Sequence, residues 1–507
     1  MLNRLNPWSW LSKNWLFKSG FFNSGLSRWG LRSLLLLGTL LLVISSAQTV
    51  AAAPAKFYTE LEFPPLRELE LPDYERYELD NGIVVYLFED HELPLIEGQA
   101  LFRTGDRLEP LAQTGLGSLT GTVWRTGGTT EHTPNEINEF LEQRAAAVET
   151  GIGVTSASVS FSLLTEDTAD VFRLFAELVQ QPTFNADKVA LAKQQVEGSI
   201  ARRNDDPDDI GWRELDKLIY GQESPYARTI EYATLGRIER EDLVQFYRQS
   251  IRPEQMILGI VGDFEPAAMK QLIAEQFGAW QPAPTPPLSA LPRVTAATTG
   301  GVFLVEQPQL TQSYISLGHL GGQVNDPNYP ALSVLNGVLN GFGGRLFNEL
   351  RSRQGLAYSV FGYWSPQYDY PGRFIAGGHT RTEATVPFIQ GIFQELATLQ
   401  AEPISAAELA YAKESILNSF VFNFQSPGQL MSRLMRYEYY GYPADFVFQY
   451  QRGIKATTIA DVQRVAQAYL KPEQITTLVV GNPAAMTPPL ESLGTDIQTI
   501  DITIPGS

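Results

Sequence analysis

Through residues 77–91, apolar and polar side chains alternate about an Asn81-Gly82 step, with Ile83, Val85 and Leu87 on one side. A two-residue period around Asn-Gly predicts a β-hairpin. Farther along, Val171, Phe172, Phe175, Leu178 and Val179 recur at helical spacing, the stripe of a helix lying on a sheet. The patterns then return. Residues 251–261 (IRPEQMILGIV) and 470–480 (LKPEQITTLVV) each run into an apolar strand closed by Gly262 or Gly481. Asp242 lies eleven residues before Pro253, and Asp461 eleven before Pro472. PTFNADKVALAK, ending at Lys193, matches EPISAAELAYAK, ending at Lys413. Offsets of 219 to 220 residues in both places identify one duplicated unit. The predicted fold class is α+β, with helices packed on antiparallel sheets, occurring twice.

At 507 residues and 44% hydrophobic, the chain is long enough for several cored domains. A Pro-rich linker at 281–292 (QPAPTPPLSALP) separates predicted domains at 73–280 and 293–485. Residues 54–72 form an extension, and 486–507 read as a Pro-punctuated tail without an assigned element. Residues 1–53 carry Arg4, Lys13, Lys18, Arg28 and Arg32 but no acid, then an apolar run at 34–44 and the small residues VAAAPA. That order predicts an export signal, cleaved or retained as a membrane anchor, and an extracytoplasmic, periplasmic-type location. Losing this leader moves the net charge from −18 to −23, so nucleic acid is an unsuitable partner. The absence of cysteine excludes disulfides, thiolate zinc sites and cysteine nucleophiles.

Residues 343–360, GGRLFNELRSRQGLAYSV, set Arg351 and Tyr358 seven positions apart around a Gly-Leu-Ala break. Taken singly, Arg351 is one of two arginines on an amphipathic helix, and Tyr358 opens the aromatic run of a hairpin. Together the string closely resembles the C-terminal signature of the pitrilysin, insulinase and mitochondrial processing peptidase-like (M16) metallopeptidases. The resemblance spans about residues 73–485. It implies two homologous halves closing as a clamshell on an extended peptide. It also implies that the arginine holds a substrate carbonyl and the tyrosine steadies an oxyanion. Arg353 is the alternative if the register shifts by two. Gly341, Gly343 and Gly344 either free the preceding loop or cap a helix.

The family's zinc helix, His-x-x-Glu-His, has no counterpart. Between the flanks Gly115-Leu116 and Gly128-Thr129 stands GSLTGTVWRTG, which puts Ser118 and Thr122 at the histidine positions and Gly121 at the glutamate. The third ligand position falls at Ser199, and nearby Glu197 is turned to nearly the opposite helical face. None of these four side chains supplies the imidazole and carboxylate set that zinc requires. His91, His132, His319 and His379 are scattered, which reads as surface or loop histidines. The hydroxyls of Ser118, Thr120 and Thr122 have no base placed by sequence, so they read as solvent-facing. The resemblance therefore implies a heterodimer subunit inactive alone. It would bind no cofactor itself and would pair with a zinc-bearing M16 subunit that carries His-x-x-Glu-His, acting on peptides. The alternative is a non-catalytic peptide-binding or scaffold protein.

Overall fold

The hairpin forms where the alternation places it. In the computed structural model, which describes residue 71 and residues 73–282, 291–298 and 300–506, strand β1 (Glu75–Glu78) pairs antiparallel with β2 (Val84–Glu89). Gly82 supplies the turn's positive φ of 90°, and the Leu79 amide donates to the Ile83 carbonyl at 2.9 Å. The predicted leader lies outside the described residues, as do all of the extension but Leu71, and linker positions 283–290. No helix among the described residues is long and apolar enough to cross a membrane.

The first sheet continues with β3 (Leu95–Phe102), β4 (Ala147–Ile152), β5 (Ala157–Leu164) and β6 (Met256–Gly262), in the order β1-β2-β6-β3-β5-β4. The second holds β7 (Val302–Glu306), β8 (Gln312–Leu320), β9 (Ala357–Ser365), β10 (Arg373–Arg381), β11 (Thr476–Gly481) and β12 (Ile497–Thr499). Its order, β12-β7-β11-β8-β10-β9, repeats the first. Both sheets are mixed and not purely antiparallel as expected, because β2 runs parallel to β6 and β7 parallel to β11. The chain between the strands of each parallel pair, a run of helices and antiparallel strands, forms the long crossover such a pair requires.

The repeated letters have repeated structural roles. Asp242 and Asp461 each close a capping box, accepting from the backbone amides of Glu239 (2.8 Å) and Thr458 (3.0 Å). Lys193 and Lys413 each donate to carbonyls just ahead of those helices, at Ile238 (2.9 Å) and Thr457 (3.0 Å).

Strand β2 is buried on both faces. Ile83, Val85 and Leu87 enter the first half's core with Phe172, Phe175 and Phe277, while Val84, Tyr86 and Phe88 face a helix of the second half, Pro427–Tyr440. Reciprocally, the first half's helix Pro207–Tyr220 sets Ile210, Leu215 and Ile219 on Phe303, Val305 and Leu478 of the second sheet. A strand covered on both sides reads as a continuous apolar run, as VVYLF at 84–88 does. The exchange is tight: a Cβ on Gly259 would fall 2.4 Å from the Met435 sulfur. The β9–β10 loop adds a second lock. Asp369 accepts from Arg107 at 2.8 Å, the arginine side chain being 4% exposed, and Tyr370 stacks on Tyr226 with centroids 4.0 Å apart.

The tail is part of the fold. β12 pairs with β7 at the edge that β1 occupies in the first sheet, and Asn204 donates to the Ile502 carbonyl at 2.7 Å. The alternation of Ile500, Ile502 and Ile504 is the signal for this segment; the prolines upstream mask it.

Candidate functional site

The helix Leu116–Thr126 carries Ser118, Gly121 and Thr122 and is held at its start and at its middle. At its start Gly115 takes φ 107°, and Glu109 accepts from the amides of Gly115 (2.8 Å) and Gly117 (2.6 Å). A carboxylate suits the positive end of a helix, but burial, only partly offset by these amides, pushes Glu109 up to about 7. Burial likewise raises Asp106 to about 6. Midway, Gly121 lies against β4. A Cβ there would stand 2.4 Å from the Ile152 nitrogen, and Thr150 donates to the Gly121 carbonyl at 2.7 Å. The backbone of β4 thus leaves no room for a side chain at Gly121.

The threonine hydroxyls on this helix are engaged with its own backbone. Thr120 is buried, not solvent-facing, and bonds the Leu116 carbonyl at 2.7 Å. Thr122 bonds the Ser118 carbonyl at 3.0 Å, and Thr126 bonds that of Thr122 at 2.8 Å. Ser199, on the adjoining helix Ala186–Arg202, is exposed and bonds the Gln195 carbonyl at 3.2 Å. Ser118, Gly121, Thr122 and Ser199, with no imidazole or carboxylate among them, therefore do not fit a zinc ion.

On the opposite half, Arg351 sits in a π-helical turn, Phe347–Arg353, whose width shows in the Gln354 amide bonding the Glu349 carbonyl five residues back at 3.0 Å. Leu350 anchors the turn in the core. The structure brings Arg351 and Tyr358 together: the guanidinium lies 5.6 Å from the Tyr358 ring centroid and 4.9 Å from that of Phe347. Among the described residues no carboxylate is paired with Arg351. Arg353 by contrast is ion-paired with Glu349. Tyr358 is 75% exposed at the start of β9, and Phe342, 81% exposed, packs edge-on against Phe347 at 5.1 Å. Sequence reasoning did not single out Phe342 or Phe347 as part of this wall.

The glycines before the turn serve close packing. A Cβ on Gly343 would meet the Tyr411 ring at 2.5 Å, and one on Gly344 the Asn340 carbonyl oxygen at 2.2 Å; only Gly341 needs a positive φ, 79°. Arg345 fixes the same corner through Glu408 at 2.6 Å. Burial raises the Glu408 carboxyl, but hydrogen bonds from Arg345 and Ser405 outweigh it and bring it to about 2.

Strands β4 and β9 end their sheets, each pairing on one side only. Beside β4 and β5 a groove of about 470 Å³ is lined by Glu97, Glu149, Ser160, Ser162, Ser426 and Gln429.

The histidines are not all surface or loop residues as expected. His319 is buried in β8, stacks on Phe374 at 5.3 Å, and has its basicity lowered by burial. His379 lies in β10 and bonds Asp208 across the halves at 2.8 Å. His132 bonds Glu177 at 3.0 Å. His91, just past β2, has Asp263 2.6 Å from Nδ1 and Glu89 2.7 Å from Nε2, and these two carboxylates raise it to about 9. Spacing could not reveal this group, since Asp263 is 172 residues from His91.

A family model described as the peptidase M16 inactive domain matches residues 237–416, a span that includes Arg351 and Tyr358. The chain is 25% identical over 366 residues to the uncharacterized zinc protease YmxG of Bacillus subtilis, covering 71% of this chain and 86% of that one. It is 22% identical over 442 residues to the non-peptidase homolog YmxG of Helicobacter pylori, covering 84% of this chain and 98% of that one. In fold it is similar to the crystal structure of a peptidase M16 inactive domain from Pseudomonas fluorescens. That likeness has a TM-score of 0.73 at 23% identity and covers 82% of this chain and 99% of that one.

Proposed function

The chain belongs to the M16 peptidase family, of the inactive-domain type, and from that premise we propose that it is the zinc-lacking subunit of an exported two-chain peptidase. The zinc is expected on a second M16 subunit carrying His-x-x-Glu-His, and this chain contributes Arg351 and Tyr358 to the peptide held between them. One observation carries the reading: Gly121, which the sequence resemblance aligns with the glutamate base, is packed against the backbone of β4, while the Arg351 guanidinium has aromatic faces beside it and no ion-pair partner among the described residues.

The chemistry asked of this chain is binding and charge stabilisation. Arg351 directs planar N–H donors at a peptide carbonyl, its stacking rings limiting the rotamers to be frozen on binding. The Tyr358 phenol donates to oxygen as negative charge gathers there, so its contribution grows towards the transition state. An extended peptide pairs with a free sheet edge such as β4 through main-chain hydrogen bonds. The basic leader followed by an apolar run supports export, whether it is cleaved or kept as an anchor.

The test is turnover by the assembled complex with Arg351→Ala and Tyr358→Phe together. The account expects a large loss of kcat with a smaller change in peptide affinity, and unchanged kcat would overturn it. A second reading, a peptide-binding or scaffold protein without a catalytic role, is supported by the relative described as a non-peptidase homolog. Chelator-insensitive peptide binding by the isolated chain, with no zinc-bearing partner recovered, would favour that reading.

A further inference from the structure

At the far end of the first sheet from the filled zinc position, four ionisable side chains converge from two strand ends. Glu89 closes β2, His91 follows it, and Asp263 and Glu265 follow β6. Glu89 pairs with Gly262, which faces Ile96 near the start of β3; Gly121 lies by Ile152, whose partner Ala157 faces Phe102 at the end of β3. The length of β3, roughly 20 Å or more at about 3.3 Å per residue, separates the two places.

Asp263 is itself steadied by Thr165, whose hydroxyl donates to Oδ2 at 3.1 Å, and its Oδ1 holds Nδ1 of His91 at 2.6 Å. That fixes the imidazole with Nε2 turned towards Glu89. One ligating atom from each of Glu89, His91 and Glu265 lies within 4.8 Å of the others. A carboxylate behind the imidazole, and further ligands ahead of it, is the arrangement by which proteins orient a metal-binding histidine.

The second half is an internal control. There β7 ends in Glu306 beside Gly481, as β2 ends in Glu89 beside Gly262. Pro308, Asn482 and Ala484 then stand where His91, Asp263 and Glu265 do. That copy links the two strand ends through the Asn482 amide, whose Nδ2 donates to the Pro308 carbonyl at 2.9 Å. The turn therefore folds without an imidazole or the extra carboxylates. Glu265 likewise makes no side-chain cap to the helix Pro266–Phe277 that it precedes.

We propose that Glu89, His91 and Glu265 form a binding site for a divalent cation, with Asp263 orienting the imidazole. One nitrogen and two carboxylate oxygens suit Zn²⁺, whose bonds of about 2.0–2.2 Å require these exposed side chains to close in modestly. The ion ties the ends of the parallel strands β2 and β6 and leaves a coordination position to solvent.

The experiment is calorimetric titration of the full chain with ZnCl₂ after chelator treatment, paired with thermal unfolding. One equivalent is expected, with a rise in Tm as metal is added. His91→Ala should abolish saturable binding, and Asp263→Asn should weaken it by about 10–100-fold. Glu265→Gln, which removes no helix cap, serves as the second ligand variant and should weaken binding while leaving the circular dichroism spectrum unchanged. Absence of saturable binding, or binding that survives both His91→Ala and Glu265→Gln, overturns the proposal. Neither outcome depends on whether the chain pairs with a peptidase subunit, because the readout is binding by this chain alone.

Discussion

At the outer edge of the first sheet, the helix Leu116–Thr126 is pressed onto β4 at Gly121, with its threonine hydroxyls turned back onto its own carbonyls. At the free edge of the second, a π-helical turn delivers Arg351 beside Phe347 and Tyr358, with both aromatic groups at Phe342 and Tyr358 open to solvent. Strand order, capping aspartates and loop-holding lysines are common to both halves. The duplication thus preserved what folds the unit, and the halves diverged where chemistry would sit.

The comparison presumes that the halves are fixed against each other, so the largest expected effect is at their lock. Asp369→Ala strands the buried Arg107 charge and should cost about 3–5 kcal/mol in urea unfolding. A loss under about 1 kcal/mol would mean the lock is solvated and the surface-pair range applies. Next is the open wall: Tyr358→Phe alone should lower turnover of the complex about 10²–10³-fold if the phenol donates to an oxyanion. An unchanged rate would reduce Tyr358 to a stacking partner of Arg351.

On the filled wall, Gly121→Ala should destabilise the chain by about 1–3 kcal/mol, because the added carbon meets the backbone of β4. Placing histidines at Ser118 and Thr122 and a glutamate at Gly121 should yield a poorly folded chain without zinc at that helix, read by metal analysis and unfolding. The smallest effect is electrostatic. Glu109 and Asp106 are raised in the fold, so their contribution to stability is full below the ordinary carboxylate range and is lost as pH rises through about 6 to 7. Unfolding midpoints should therefore fall over that window, and Asp106→Asn should flatten the slope.

Much of this was legible in the sequence for local reasons. Asn81-Gly82 and the alternation after it specify the hairpin, and the Phe172/Phe175/Leu178 stripe specifies the helix Thr168–Gln180. Arg351 and Tyr358 are close in sequence, and the turn between them brings their side chains into contact. What was hidden depends on distant partners. The exchanged helices Pro207–Tyr220 and Pro427–Tyr440 are amphipathic by themselves, and nothing local says whose sheet they cover. Strand β12 is three residues long and draws its pairing from β7, almost 200 positions earlier. The cluster at His91 joins two loops that meet only because β2 and β6 are parallel neighbours.

The central claim, that this chain supplies one wall of a site whose metal lies on another subunit, is tested most directly by purifying the full chain from its own host and determining the mass and identity of what accompanies it. The account predicts a similar-sized chain bearing His-x-x-Glu-His at one-to-one stoichiometry, with peptide cleavage by the pair that is lost on chelation and on Tyr358→Phe. Recovery of this chain by itself, cleaving peptides unaided, would contradict it.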